Sequence, residues 1–201
     1  MKVLVVGATG EIGRAVVQAL AERGHAVVRA GRTRGDHQVD ITSEASVQAL
    51  YAAVGRVDAI VSAAGGLHFA PLAEMTAANF NIGLQDKLLG QVRLALLGQH
   101  VLNDGGSITL TTGVAADDPV RGGSNAAAVN AAVEGFVLGA TIELPRGLRI
   151  NAVSPTLLTE SLAAYGALFP GVETVPAARV ALAYVRSIEG PLTGRVFRVW
   201  Q

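Results

Sequence analysis

KVLVVGATGEIGRAVVQAL, residues 2–20, decides the fold of this 201-residue chain. A short β-branched run meets glycines at 7, 10 and 13 and passes straight into an amphipathic helix. Glycine permits the tight turn and lets the backbone approach a pyrophosphate, which a helix N-terminus attracts through free N–H groups and partial positive charge. Placed between a strand and a helix, the pattern marks Gly7, Thr9, Gly10, Glu11, Ile12 and Gly13 as a dinucleotide-binding loop. Glycines that serve only strand-to-helix packing are the other reading.

Beyond this unit, short apolar runs alternate with longer helical stretches. Strands are expected at 2–7, 26–30, 58–62, 107–112, 148–153 and 195–199, with a brief extended piece, HQVD, at 37–40. Helices are expected near 11–23, 43–54, 76–101, 124–144 and 176–188. Strand and helix in alternation predict a doubly wound α/β sheet with no linker dividing the chain. The six residues from Gly31 to Asp36 are too few for a helical crossover, so one helix of longer relatives of this architecture is missing.

Composition narrows the partners. Half of the residues are hydrophobic but only 4% are aromatic and 24 are glycine, a mixture suited to a parallel sheet under close-packed helices. Sixteen basic and sixteen acidic residues leave no net charge, and no basic block invites nucleic acid or an anionic membrane. The chain has no cysteine, which removes disulfides and thiolate chemistry, and the scattered histidines make no metal-ligand pattern. The N-terminal apolar run breaks at Gly7–Glu11, and no segment reaches the length of a membrane span, so a soluble cytoplasmic protein is expected.

The second strand ends in AGRTRGD, where an NAD-binding protein usually places an acidic residue for the ribose hydroxyls. Arg32 and Arg34 stand there instead, around Thr33, and guanidinium groups suit a 2′-phosphate. NADP(H) is therefore expected in preference to NAD(H), with solvated loop arginines as the plainer alternative.

These motifs, taken with three others, resemble those of the short-chain dehydrogenase/reductase family along nearly the whole chain. GATGEIG is similar to the family's glycine loop, with Glu11 at its central glycine. VDITS, with Asp40 and Ile41, resembles the segment that lines the adenine. SAAGG (62–66), with Ala63, Ala64 and Gly65, resembles the Asn-Asn-Ala-Gly turn. ELPRGLRINAVSPT (143–156) resembles the stretch leading to a Pro-Gly beside the nicotinamide, here Pro155 and Thr156. The resemblance implies a Rossmann-type doubly wound sheet of about seven strands, a single domain over residues 1–201, and oxidoreductase chemistry.

The family's catalytic residues do not carry over. VNAAVEGF set against the family's Ser-Lys-Ala-Ala-Val-Glu-Gly-Phe pattern puts the lysine position on Asn130 and the tyrosine position on Ala126. The serine position falls on Gly113, with Thr112 one residue earlier as a hydroxyl that could orient a carbonyl. KLLG (87–90) sets Lys87 where the family has an asparagine, and Gly83, Lys87 and Gly90 share one helix face. Lys87 is the candidate replacement cation, holding the nicotinamide ribose or acting as a desolvated acid/base. A lysine snorkelling to solvent from an amphipathic helix is the alternative.

The segment 157–175 is short and apolar, which suits a small or hydrophobic substrate. Two functions stay open: an NADP(H)-dependent oxidoreductase with a non-standard site, or a catalytically inactive NADP(H)-binding protein with a structural or sensing role. The helix 124–144 is apolar on most of its circumference, so a homodimer or homotetramer through it is expected.

Overall fold

The computed structural model describes all residues, 1–201. In chain order the elements are β1 (Lys2–Val6), α1 (Glu11–Glu22), β2 (Ala26–Gly31), β3 (His37–Gln38), α2 (Glu44–Val54), β4 (Val57–Ser62), α3 (Ala77–Gly83), α4 (Gly90–Gly98), β5 (Leu102–Thr111), α5 (Ser124–Ala140), β6 (Arg149–Pro155), α6 (Leu162–Tyr165), α7 (Ala177–Glu189) and β7 (Val196–Val199). The seven strands form one parallel sheet in the order β3-β2-β1-β4-β5-β6-β7. Strand order reverses between β1 and β4, and such a switch point opens a crevice at the carboxyl ends of the strands.

Both faces of the sheet are covered, so its central strands are apolar on both sides. The two-residue period of a strand divides β1 cleanly: Leu4 and Val6 join a core with α2, α4 and α5, while Val3 and Val5 join a second core with α1 and α7. β4 divides the same way, with Ile60 on the first face and Ala59 and Val61 on the second. Truncating a fully buried Leu4 or Ile60 to alanine would cost about 2–5 kcal/mol.

The connection from β2 to β3 contains no helix. Five residues suffice because β3 is two residues long and the turn ties back to β2. The Asp36 N–H donates to the Arg29 carbonyl at 2.7 Å, and the Asp36 carboxylate accepts from the Arg29 N–H at 2.9 Å and its guanidinium at 2.6 Å. Gly35, at φ +125°, is needed there: a Cβ would stand 2.8 Å from the Arg29 carbonyl oxygen.

The helix expected over 76–101 is a composite. Between α3 and α4, Leu84–Leu89 form a π-helical turn, in which the Gly90 N–H reaches the Gln85 carbonyl five residues back. Glycines let this composite pack closely, since a Cβ on Gly83 would strike the Asn125 amide and one on Gly90 the Ile41 side chain. β5 begins five residues before the expected strand, because Leu102 pairs with Val57 before a register shift restores pairing at Ser107. α5 stops at Ala140 instead of 144, ahead of Pro145, which disfavours helical geometry in the residue before it. No helix is long and apolar enough to cross a membrane.

Candidate functional site

Two cavities meet at Gly65 and Gly66 along the carboxyl ends of the strands. The first, about 280 Å³, is lined by residues of the glycine loop, the end of β2 and the turn after β4. The second, about 350 Å³, lies over the ends of β4, β5 and β6.

The glycine loop separates into two kinds of glycine. Gly7, at φ +83°, would drive a Cβ to 2.5 Å from the Ala63 carbonyl oxygen, and a Cβ on Gly13 would lie 1.9 Å from the Gly7 carbonyl oxygen. Those two are required by the protein's own packing. Gly10 is not: its Cβ would meet only the Gly7 carbonyl oxygen at 3.5 Å, an ordinary contact. Gly10 is also the N-cap of α1, and no side chain caps that terminus. A loop that stays bare where nothing inside the protein demands it fits close approach by a pyrophosphate. Of the other loop residues, Thr9 lines the cavity, Glu11 pairs with Arg14 at 2.8 Å on the surface, and Ile12 packs against the second core.

Arg32, Ile41 and Ala64 also line this cavity. The Arg32 guanidinium is not free, because it lies 3.2 Å from the Asp86 carboxylate across the cleft. Arg34 has no ion-pair or hydrogen-bond partner and borders a separate cavity of about 430 Å³ beside Thr9, Arg14 and Arg29. Thr33 lies exposed between them, its carbonyl accepting from Gln38 at 3.2 Å. Asp40 departs from the expectation that it lines the adenine segment. Its carboxylate accepts from the Thr42 N–H at 2.9 Å and hydroxyl at 2.7 Å, contacts that lower its pKa and spend it on a local turn; Ile41 alone of the two faces the cavity.

Lys87, Gly113, Ala126 and Asn130 all line the second cavity, together with Pro155 and Thr156. Lys87 does not snorkel: it is 7% exposed. Its stem is held against Gly65, where a Cβ would stand 2.7 Å from the lysine Cα. Its Nζ donates to the Thr112 carbonyl at 3.1 Å, and no carboxylate pairs with it. Burial lowers the amine's pKa to about 8. Asn130 is 2% exposed, and its Oδ1 has no partner within the protein.

The Thr112 expectation needs correcting. Its hydroxyl lies 3.0 Å from both the Asn130 carbonyl and the Glu134 carboxylate, on the α5 side, so Thr112 offers the site its carbonyl and not its hydroxyl. Gly113 occupies the lining position instead and brings no hydroxyl; a Cβ there would sit 3.1 Å from the Asn130 Nδ2.

Several contributors were not legible beforehand. Gln91, fully buried, exchanges two 2.8 Å hydrogen bonds with the backbone of Thr111 and so fixes the point where β5 leaves the sheet. Asp86 lines the first cavity and holds Arg32. Both meet partners distant in sequence, and a glutamine or aspartate on an amphipathic helix carries no local sign of that. The outer wall is apolar: Phe69 and Tyr165 face each other with ring centroids 6.4 Å apart, backed by Leu157 and Phe169. Tyr51 and Tyr184 are buried away from the cavities, and Asn125 braces the wall, accepting from the His68 N–H at 3.0 Å and donating to the Phe80 carbonyl at 2.7 Å.

A family model described as Enoyl-(Acyl carrier protein) reductase matches residues 7–188. The chain is 31% identical over 130 residues to the hydroxynaphthalene reductase arp2 of Aspergillus fumigatus, a match covering 62% of this chain but only 48%, about half, of that enzyme. It is 27% identical to an uncharacterized oxidoreductase of Mycobacterium tuberculosis over 80% of this chain and 68% of that one. Among solved structures it is similar to the protein lin1944 from Listeria innocua, at 47% identity and a TM-score of 0.97 with all of both chains covered. A small-chain dehydrogenase in complex with NADPH superposes with a TM-score of 0.89 at 28% identity, covering 99% of this chain and 96% of that one.

Proposed function

The chain belongs to the short-chain dehydrogenase/reductase family, and on that premise we propose that it is an NADP(H)-dependent oxidoreductase that acts at the carbonyl of a small apolar substrate and uses Lys87 in place of the family's missing residues. The observation that carries this reading is the position of Lys87, buried in the same cavity wall as Ala126 and Asn130 with only the Thr112 carbonyl as partner.

Residues on both sides of the cleft suit the cofactor. The bare Gly10 and the uncapped start of α1 would take the pyrophosphate. Arg34, unpaired, and Arg32, released from Asp86, would grip a 2′-phosphate through charge-assisted hydrogen bonds. Gly65, Pro155 and Thr156 would border the nicotinamide end. When bound, the nicotinamide supplies or accepts a hydride. A neighbour in complex with NADPH supports this cofactor class.

The remaining chemistry falls to the chain. With one ammonium N–H directed at Thr112, Lys87 keeps two for a substrate oxygen, which it polarises and to which it passes a proton. A pKa of about 8 puts both its forms within reach near neutrality. The Asn130 amide stands by for the same oxygen or for a ribose hydroxyl. The apolar wall around Phe69, Tyr165 and Leu157 excludes strongly charged substrates, and the name of the fungal relative points to the same apolar class.

A second reading is a non-catalytic NADP(H) binder. It is favoured by Gly113 and Ala126, which bring no acid, base or hydroxyl to the cavity. Steady NADPH oxidation with any of a panel of apolar aldehydes and ketones, abolished in Lys87→Met, supports the enzyme. NADPH binding with no turnover across the panel supports the binder.

Association through α5 belongs to the same proposal. Its outward face carries Ala128, Ala131, Gly135 and Gly139, and Leu138 is 67% exposed. A Cβ on either glycine would meet nothing within 4 Å, so a second copy could approach closely, as a homodimer or homotetramer.

A further inference from the structure

A primary amine buried without a counter-ion in an apolar cavity has chemistry beyond hydrogen bonding. We infer that Lys87 is a covalent nucleophile, condensing through Nζ with small apolar aldehydes and ketones to form an imine. The inference rests on the reading of this cavity as a carbonyl-substrate site and adds a second activity to it.

Four features carry it. The Lys87 stem lies against Gly65, where an added Cβ would stand 2.7 Å from its Cα and 2.8 Å from its Cβ and Cγ, and the residue lines the cavity. It has a single acceptor, the Thr112 carbonyl, and no carboxylate to keep it charged. Gly113 and Ala126 line the cavity with it and bring no bulky side chain into that space. The buried Asn130 amide, whose Oδ1 has no partner within the protein, lines the same cavity. Desolvation in an apolar pocket is a recognised way to make a lysine nucleophilic.

The step balances without any co-reactant. The Nζ lone pair attacks the carbonyl carbon, and the C=O π electrons pass to oxygen. A proton moves from nitrogen to that oxygen, giving a carbinolamine whose hydroxyl sits in the cavity that the Asn130 amide lines. Loss of that hydroxyl with a second nitrogen-derived proton releases one water and leaves C=N. Tyr165, at the mouth and half exposed, leaves a path for the water.

Few charges face the amine. The turn at Gly65–Gly66 and the end of β5 contribute none. The neighbouring Asp86 is held by Arg32, and from α5 Glu134 lies behind Thr112, shared with Arg198, which also pairs with Asp117. Imine formation should therefore follow the free-base fraction of Lys87, rising with pH through about 8. At pH 8 a free lysine side chain is neutral in under ~1% of molecules, so Lys87 should react at least ~tenfold faster than a free lysine.

The chain has only two lysines, Lys2 and Lys87, which makes the test direct. The intact protein, without NADP(H), is treated with butanal and cyanoborohydride at pH 7, 8 and 9, and the adducts are mapped by peptide mass spectrometry. Expected are an adduct at Lys87 that saturates with butanal concentration and its loss in Lys87→Met. Ala126→Phe, which fills the cavity and leaves the amine in place, should suppress it too. Alkylation of Lys2 and the N-terminus with Lys87 unmodified would overturn the inference, as would labelling of Lys87 that is unsaturable and indifferent to Ala126→Phe. NADPH binding and oxidation are measured separately: turnover without an adduct removes only this inference, and an adduct without NADPH binding removes only the proposed function.

Discussion

The Nζ of Lys87 lies 3.1 Å from the Thr112 carbonyl oxygen, and this is its one polar contact inside the protein. A single neutral acceptor does not offset the desolvation of an ammonium, which is why the folded amine's pKa falls to about 8. The unfolded chain therefore binds more protons between about pH 8 and pH 10.4, and stability should rise with pH across that window. At neutral pH the full cost is carried. Lys87→Met should stabilise the protein by about 2 kcal/mol, raising Tm by ~5 °C at pH 7 and by little at pH 10. Thermal melts at the two pH values check this; an equal gain at both would contradict it.

The same amine sets the pH dependence of turnover. If carbonyl reduction needs the ammonium as proton donor, kcat should fall as pH rises through about 8. A profile of single-turnover rates with saturating NADPH reads that limb, and a flat profile from pH 6.5 to 9.5 would remove Lys87 from the proton transfer.

Arg34 has no partner within the protein, whereas Arg32 is held by Asp86. Arg34→Ala should weaken NADPH by about tenfold or more, the worth of one charge-assisted hydrogen bond, and leave NADH unchanged. Asp86→Asn, by releasing Arg32, should tighten NADPH. Titration calorimetry with both nucleotides decides, and equal losses for both would deny the 2′-phosphate contact.

Gln91 and Thr111 exchange two hydrogen bonds in a fully buried setting. Gln91→Leu would leave a backbone N–H and a C=O unpaired there, at a cost of about 2–4 kcal/mol and ~5–10 °C in Tm. Because the end of β5 also presents the Thr112 carbonyl, the variant should lose turnover more than its stability loss explains when assayed well below its Tm.

Leu138→Asp places a charge on the outward face of α5, where Leu138 stands 67% exposed. Light scattering should report a dimer or tetramer for the parent and a monomer for the variant. A monomeric parent would show that this face has another use.

The fold was legible because its signals are periodic. Alternation along β1 and β4 sorts side chains onto two cores, and the glycines of the first loop stand where strand passes to helix. The register that put Ala126, Asn130 and Gly113 at the family's catalytic positions also matches their meeting in one cavity. Side-chain direction at element ends was not legible. At the end of β5 one residue's difference turns a hydroxyl to the opposite side, so Thr112 faces α5 while Gly113 faces the cavity. Asp40 folds onto Thr42 through a contact two residues long, which competes with any ligand. Lys87 could not be settled from helical spacing either, since its stem is long enough to end in solvent or in the cavity; the Gly65 backbone decides.

The π-helical turn at Leu84–Leu89 amounts to one residue more than a regular helix of the same span would hold. Deleting a single residue from that turn would restore an ordinary helix over the same span, leaving α3 and α4 facing much as they do while resetting the directions of the side chains inside the turn. Gly83 and Gly90, each seated against a neighbour, flank the turn and would keep their contacts, whereas Lys87 lies inside it and would lose its direction. The amine's presence in the cavity is thus tied to an insertion that a descendant lineage could lose in one mutational event, and aligned relatives with one residue fewer here should be sought among those that carry a different residue at position 87.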